Sequence, residues 1–245
     1  MADNIYESQR LLDEYLLFHY GSAQEVLPWA KGPQEALGFA VRSVLELIDL
    51  FIIPDMATAL DLGCAVGRSS FELAPFVDEV TGIDFSQRFV DAAEDLQQGQ
   101  ALGYQRLEEG TLTTTLTASV PENLPRQNVR FEQGDAMDLR AGLGSYAVVH
   151  AANLLCRLTE PQKLIERLPS LVKPGGQLLL TTPCTWLADF TPPENWPKGS
   201  TRDWLQEQLS ETFELVHEQD LPFLIREHAR KYQWSVAWGS RWIRK

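Results

Sequence analysis

Apolar positions along the chain follow two periods that alternate. Short, mostly apolar runs at Ala57–Leu62, Glu79–Asp84, Asn128–Glu132, Tyr146–Ala151 and Gln177–Thr182 predict strands buried on both faces. Between them, apolar residues recur at helical spacing over Arg68–Ala74, Ser86–Gln98 and Pro161–Leu171. Strand and helix in alternation predict an α/β fold around a mostly parallel sheet. Ahead of this rhythm, Asn4–Tyr20 reads as a helix, with Asn4 and Glu7 as a capping box and Gly21 as its stop. Gln34–Phe51 reads as a second helix, with Pro33 near its start and Pro54 beyond its end. Tyr104–Val120 breaks the rhythm: two β-prone, threonine-rich stretches around Gly110 predict a hairpin insert. Phe213–Glu218, Phe223–Glu227 and Gln233–Trp242 are β-prone and predict an antiparallel finish to the sheet, for which seven strands are expected. Pro183–Trp196, rich in proline and aromatics, is either a substrate lid or plain surface packing. One domain over 1–245 is expected: a helical cap (1–55), a core (56–182) carrying the insert (101–120), and a lid with antiparallel strands (183–245).

Composition narrows the class. A chain of 245 residues, 44% hydrophobic, suits one α/β domain with a cap. A net charge of −13 argues against nucleic acid and against anionic membrane surfaces. No apolar stretch approaches the roughly 18 residues of a membrane span, and no basic-then-apolar leader opens the chain, so a cytoplasmic location is expected. Cys64, Cys156 and Cys184 are scattered, and the histidines lack ligand spacing, so neither a disulfide framework nor a metal site is expected.

The densest chemistry lies in Asp61-Leu-Gly63-Cys-Ala65-Val-Gly67, where an apolar strand enters a glycine turn and a helix leaves it. Glycine serves where backbone takes positive φ or meets a ligand closely, and a helix start favours polar or anionic atoms. A dinucleotide turn shares this shape. Here, however, Asp61 stands before the first glycine, where a carboxylate suits an ammonium group, and Ala65 replaces the glycine a pyrophosphate needs. Both favour S-adenosylmethionine over NAD. Asp84, about 20 positions on, suits a ribose diol, its other reading being a helix cap. Phe85 beside it can pack on adenine. Asp135 and Ala136 follow the third strand, where Asp135 either accepts from the adenine amino group or serves the turn. Asn153 follows the fourth strand with donor and acceptor together, suited to the cofactor or to a methyl acceptor.

For the acceptor the residues leave alternatives open. Tyr15, His19 and Tyr20 either pack in the core or roof a pocket, and Trp186 lies in the lid segment. Arg226, His228 and Arg230 fall on one face if their run is a strand. They form either a solvated edge or a site in which Arg226 or Arg230 forks a carboxylate while His228 or His19 takes a proton.

Taken together, Asp61-Leu-Gly63-Cys-Ala65-Val-Gly67, Asp84, Gly134-Asp135 and Lys173-Pro-Gly-Gly176 resemble class I S-adenosylmethionine-dependent methyltransferases over Ala57–Thr182. That resemblance implies a Rossmann-like fold. The flanks are similar to something narrower. Asn4-Ile-Tyr6, Glu14-Tyr-Leu-Leu-Phe-His-Tyr-Gly21, Ala152-Asn-Leu-Leu155, Thr185-Trp186, Pro222-Phe-Leu-Ile-Arg-Glu-His228 and Lys231-Tyr-Gln-Trp234 resemble the methyltransferases of ovothiol biosynthesis. This implies methylation of an imidazole ring nitrogen of 5-thiohistidine (4-mercaptohistidine) to give ovothiol A, and association with a sulfoxide synthase domain or protein. Three rivals stand beside it: a methyltransferase for another small amino acid or carboxylate, a non-catalytic S-adenosylmethionine-binding partner or sensor, and a nicotinamide dehydrogenase, which Asp61 and Ala65 disfavour.

Overall fold

In a computed structural model, residues 5–245 are described; Asn4, and with it the proposed capping box, lies outside them. The chain begins with a short 3-10 turn (Ile5–Glu7) and then helix α1 (Gln9–Tyr20), capped by the Ser8 hydroxyl, which accepts from the Leu11 amide. Gly21 ends α1 as expected but at φ −62°, so its freedom of φ is not the reason. Space is: a Cβ there would stand 2.5 Å from the Leu17 carbonyl oxygen. Helix α2 (Ala23–Val26) follows, with a capping box of Ser22 and Glu25. The predicted helix over Gln34–Phe51 is broken. Gly38 sits in the left-handed region at φ 65°, leaving a 3-10 turn (Gln34–Ala36), α3 (Phe39–Leu45) and a second turn (Leu50–Ile52).

The core then alternates: β1 (Thr58–Leu62), α4 (Arg68–Leu73), β2 (Glu79–Asp84), α5 (Gln87–Gln97), the hairpin β3 (Leu102–Glu109) and β4 (Leu112–Ala118), β5 (Val129–Gln133), β6 (Tyr146–Ala152), α6 (Pro161–Leu171) and β7 (Val172–Thr182). Helix α7 (Thr201–Leu209), capped by Ser200, precedes two long strands, β8 (Phe213–His228) and β9 (Lys231–Arg244). The two β-prone runs expected between Phe213 and Glu227 are thus one strand, bulged near Val216. The sheet has seven strands in the order β5-β2-β1-β6-β7-β9-β8, all parallel except β9, while β3 and β4 pair separately. The inner strands β1, β2 and β6 are buried almost throughout, which is why they read as continuous apolar runs.

Apolar faces of α1, α3, α4 and α5 cover one side of the sheet, and those of α6 and α7 cover the other. What positions the site is the end of β7. Thr182 is level with Trp238 on β9, which is level with Asp220 on β8. Leu221–His228 and the start of β9 therefore run on past the carboxyl edge of the parallel strands, by about 25 Å at roughly 3.3 Å per residue. This overhang meets α1, α3 and β3, so both ends of the chain and the insert roof that edge. Among the described residues no helix is long and apolar enough to cross a membrane.

Candidate functional site at the carboxyl edge of the sheet

The turn after β1 is held to the end of β2 by its own backbone: the Gly63 and Cys64 amides donate to the Ile83 carbonyl at 2.8 and 3.1 Å. Gly63 (φ 69°), Ala65 (φ 49°) and Gly67 (φ 85°) all take the left-handed region. A Cβ on Gly67 would stand 2.6 Å from the Phe131 ring, so the helix starting there packs this close to β5 only with glycine. Ala65 has no such excuse. It shares left-handed backbone with Asn153 (φ 53°) and Cys184 (φ 53°), which follow β6 and β7. Non-glycine residues in this conformation cost about 1–3 kcal/mol each. Three stand at the ends of three neighbouring strands, where open α/β sheets bind ligands.

Asp84, at the end of β2, accepts from the Ala65 amide through Oδ2 (2.8 Å) and from the Ser86 amide through Oδ1 (2.9 Å). Ser86 itself caps α5, accepting from the Phe89 amide, so the cap role weighed for Asp84 belongs to its neighbour. Burial pushes the Asp84 carboxyl up to about 6, against the pull of these amides and with the charge of Asp61 adding to the rise. Each oxygen retains a lone pair suited to a hydroxyl donor. Phe85 beside it is 56% exposed, unusual for an aromatic ring at such a junction. Asp135 accepts from the Met137 amide through Oδ1 at 2.8 Å, a turn bond that leaves Oδ2 without a hydrogen bond among the described residues; Ala136 is buried. Asn153 Oδ1 accepts from the Thr181 hydroxyl at 2.9 Å, which fixes the amide and directs its remaining donor.

Asp61 corrects its expectation. Strand alternation turns its side chain away from the edge and under α4, where it is 1% exposed. Oδ2 accepts from the Ser69 and Ser70 hydroxyls (2.7 and 2.6 Å), and Oδ1 lies 2.7 Å from Nδ1 of His150, its register partner on β6. His150 Nε2 reaches the Ser43 hydroxyl of α3 at 3.2 Å. Burial pushes the Asp61 carboxyl up, but His150 and the two hydroxyls outweigh it and hold the group below its usual range. An ionised Asp61 makes Nδ1 of His150 the protonated nitrogen. Buried under α4 and turned from the edge, Asp61 is not presented to an ammonium group there. A lone histidine within the apolar strand Tyr146–Ala152 was the signal in the sequence: a buried imidazole needs a partner, and β1 holds a lone aspartate in register.

The expected basic face also fails. Strand β8 is irregular between Arg226 and His228, and Arg230 lies in the turn after it, so alternation does not align the three. Arg226 is 5% exposed. Its Nη2 pairs with Glu108 Oε2 at 2.6 Å and its Nη1 donates to the Glu25 and Val26 carbonyls, riveting β8 to β3 and α2. Its guanidinium is engaged and not placed to fork a substrate carboxylate. Arg230 stacks over Trp29 at 6.0 Å, and His228 accepts from the Arg230 amide at the hairpin tip, beside the insert. Trp186 is partly buried against the core, donating to the Thr201 hydroxyl and packing edge-on to Trp204.

Helix α1 does roof the turn. The Tyr20 hydroxyl donates to the Val66 carbonyl at 2.7 Å, and Arg68 lies over its ring and donates to the His19 carbonyl. Tyr15 packs on Phe89 with ring centroids 4.7 Å apart, and Tyr6 packs edge-on to both. His19 stacks on Tyr15, and its Nδ1 is shielded from solvent with no hydrogen-bond partner among the described residues. Burial lowers its pKa to about 3, with Asp61 opposing and Arg68 adding to the fall, so the imidazole is neutral.

S-adenosylmethionine fits this edge. There are spare carboxylate lone pairs at Asp84 and Asp135 for hydroxyl and amino donors, an exposed ring at Phe85 for adenine, and a strained backbone cradle between them. A methyltransferase-domain family profile matches residues 35–231. The chain is 29% identical over 153 residues to a ubiquinone biosynthesis O-methyltransferase of Xanthomonas axonopodis pv. citri, covering 62% of this chain and 54% of that protein. It is 27% identical over 122 residues to the O-methyltransferase cnsE of Penicillium expansum, covering 49% and 36%. It thus spans about half or less of the length of these curated relatives. Among solved structures, the N-methyltransferase NodS from Bradyrhizobium japonicum WM9, in complex with S-adenosyl-L-homocysteine, superposes with a TM-score of 0.54 at 14% identity, covering 95% of this chain and 98% of that one. The chain belongs to the class I methyltransferase-domain family, and its cofactor is S-adenosylmethionine.

Proposed function

We propose that the chain methylates an imidazole ring nitrogen of 5-thiohistidine, giving ovothiol A. The observation that carries this reading is His19: a neutral imidazole beside the glycine turn, its Nδ1 shielded from water and without a partner among the described residues. A buried ring nitrogen without a partner favours a ligand that supplies one, an N–H in the tautomer that leaves Nδ1 unprotonated. The α1 motif Glu14–Gly21, which carries much of the resemblance, forms this roof. Bound S-adenosylmethionine supplies an electrophilic methyl on a positively charged sulfur, which leaves as a neutral thioether. The protein's task is then orientation. In this reading Asp84 holds the ribose hydroxyls, Phe85 and Asp135 the adenine, and Asn153 the acceptor or the methionine end. His19 Nδ1 accepts from the acceptor's ring N–H, leaving the other nitrogen's lone pair to attack the methyl carbon.

The names of the curated relatives favour a second reading, O-methylation. Transfer from methyl-labelled cofactor to 5-thiohistidine and to a catechol, with the product bond assigned by NMR, decides between them. An N-methyl imidazole formed at least 10-fold faster than a methyl ether is expected, and preference for the catechol would replace the first reading by the second.

A further inference from the structure

One cation at this edge has no anion. Arg157 follows β6, four residues beyond Asn153, and is half-buried. Among the described residues it forms no ion pair, and the hydrogen bonds of its guanidinium, from Nη1 to the Cys156 carbonyl and thiol, are with its own neighbour. The guanidinium lies over the Phe190 ring at 4.5 Å. Phe190 is fixed there because the next residue, Thr191, is fully buried and donates to the Leu158 carbonyl at 2.7 Å. Phe190 also packs on Tyr6, and the Arg157 charge draws down the hydroxyl pKa values of Tyr6 and Tyr15 against the larger, upward effect of burial. The cation therefore stands among lid, roof and strand ends.

Stacking holds a guanidinium by its face and leaves its N–H edge for a planar, bidentate anion. In a chain of net charge −13, a half-buried arginine left without a carboxylate is out of keeping with its surroundings. We propose that Arg157 anchors the carboxylate of the methyl acceptor, so that this site takes an anionic or zwitterionic small molecule in preference to its neutral or cationic analogue. This rests on the reading of the edge as a small-acceptor methyltransferase site, and supplies the anchor that Arg226 and Arg230 do not.

The test compares the full chain with its Arg157→Met and Arg157→Lys variants, methionine keeping the packing under Phe190, with folding checked by circular dichroism. Each is assayed with labelled cofactor on acid and decarboxylated pairs: 5-thiohistidine and its amine, histidine and histamine, 3,4-dihydroxybenzoate and catechol. Binding of S-adenosylhomocysteine is followed by calorimetry. For the wild type, a preference for the acid of about 10- to 100-fold in kcat/KM is expected, the worth of one charge-assisted contact. Arg157→Met removes that preference by raising KM for the acid, Arg157→Lys retains part of it, and product affinity stays within about twofold. Equal losses on acid and amine overturn the proposal. So does a loss confined to S-adenosylhomocysteine, which would give the guanidinium to the cofactor's own carboxylate. Should the acid that is taken be one other than 5-thiohistidine and still depend on Arg157, the anchor stands and the thiohistidine reading falls.

Discussion

Asp84 concentrates the chemistry of this edge in one side chain. In the proposed reading, where Asp84 holds the ribose hydroxyls, replacing it by alanine is expected to cost about 1–3 kcal/mol, or roughly 5- to 150-fold in affinity for S-adenosylhomocysteine, with an unchanged circular dichroism spectrum. Its titration adds a pH signature. Burial raises the carboxyl to about 6, so the ligand-free protein holds this proton more tightly than the unfolded chain does at about 3.9. This group alone makes the fold less stable as pH rises from about 4 to about 6. Hydroxyl donors need the ionised form, so ligand affinity should weaken as pH falls below about 6 and level off above it, and Asp84→Ala should lose that dependence in calorimetry run from pH 5 to 8. Asp84 was legible because spacing along one strand and one turn locates it. Arg226 was not, because its direction is set by Glu108 and the Glu25 carbonyl, more than a hundred residues away in sequence. Arg157 escaped notice because an arginine opening a connection has no periodicity to mark it.

At the scale of elements, Arg226 joins β8, β3 and α2. Arg226→Ala is expected to lower stability by about 1–3 kcal/mol, since it removes the ion pair to Glu108 and the hydrogen bonds to the Glu25 and Val26 carbonyls, while Arg106 still serves Glu108 and the Glu25 carbonyl, and to speed proteolysis in the β3–β4 hairpin. A selective rise in acceptor KM with an unchanged melting temperature would return Arg226 to the substrate. A second comparison separates space from backbone strain. Gly67 and Gly110 both have positive φ, but an added Cβ meets Phe131 at 2.6 Å at the first and nothing within 4 Å at the second. Gly110→Ala should cost about 1–2 kcal/mol from conformation alone, and Gly67→Ala more, with loss of cofactor binding. The β1-turn-α4 and β2-α5 units could be read because their signals are local. The broken α3 could not, since Gly38 looks like a tolerated helix glycine until its neighbours dock on β8.

Across the whole molecule, the buried group of Asp61, His150, Ser43, Ser69 and Ser70 ties the two central strands to the α3/α4 layer. Removing one charge from such a group costs about 3–5 kcal/mol. For a chain of this length that lowers the melting temperature by roughly 10 °C. Asp61→Ala should show this in a thermal melt at pH 7, while a joint Asp61→Leu, His150→Leu replacement should be less damaging than either alone. A double replacement worse than the sum would mean that the group does more than satisfy itself. Topology and strand order were legible because each parallel strand announces itself. The polar group was not, because its members are dispersed from Ser43 to His150 and only register brings them together.

The overhang of β8 and β9 also sets the order in which the molecule can be made. Helix α1 ends at Tyr20 and meets strand residues from Leu221 onward. At ribosomal speeds of about 5–20 residues per second, the roughly 200 residues between them take on the order of 10–40 s to synthesise. Throughout that interval the core strands can pair and α1 can settle on α5 and β3, while the part of its face that meets β8 waits for its cover. The roof over the ligand edge is therefore complete only once β8 and β9 have been made, and until then the face of α1 that meets them must be kept from other partners.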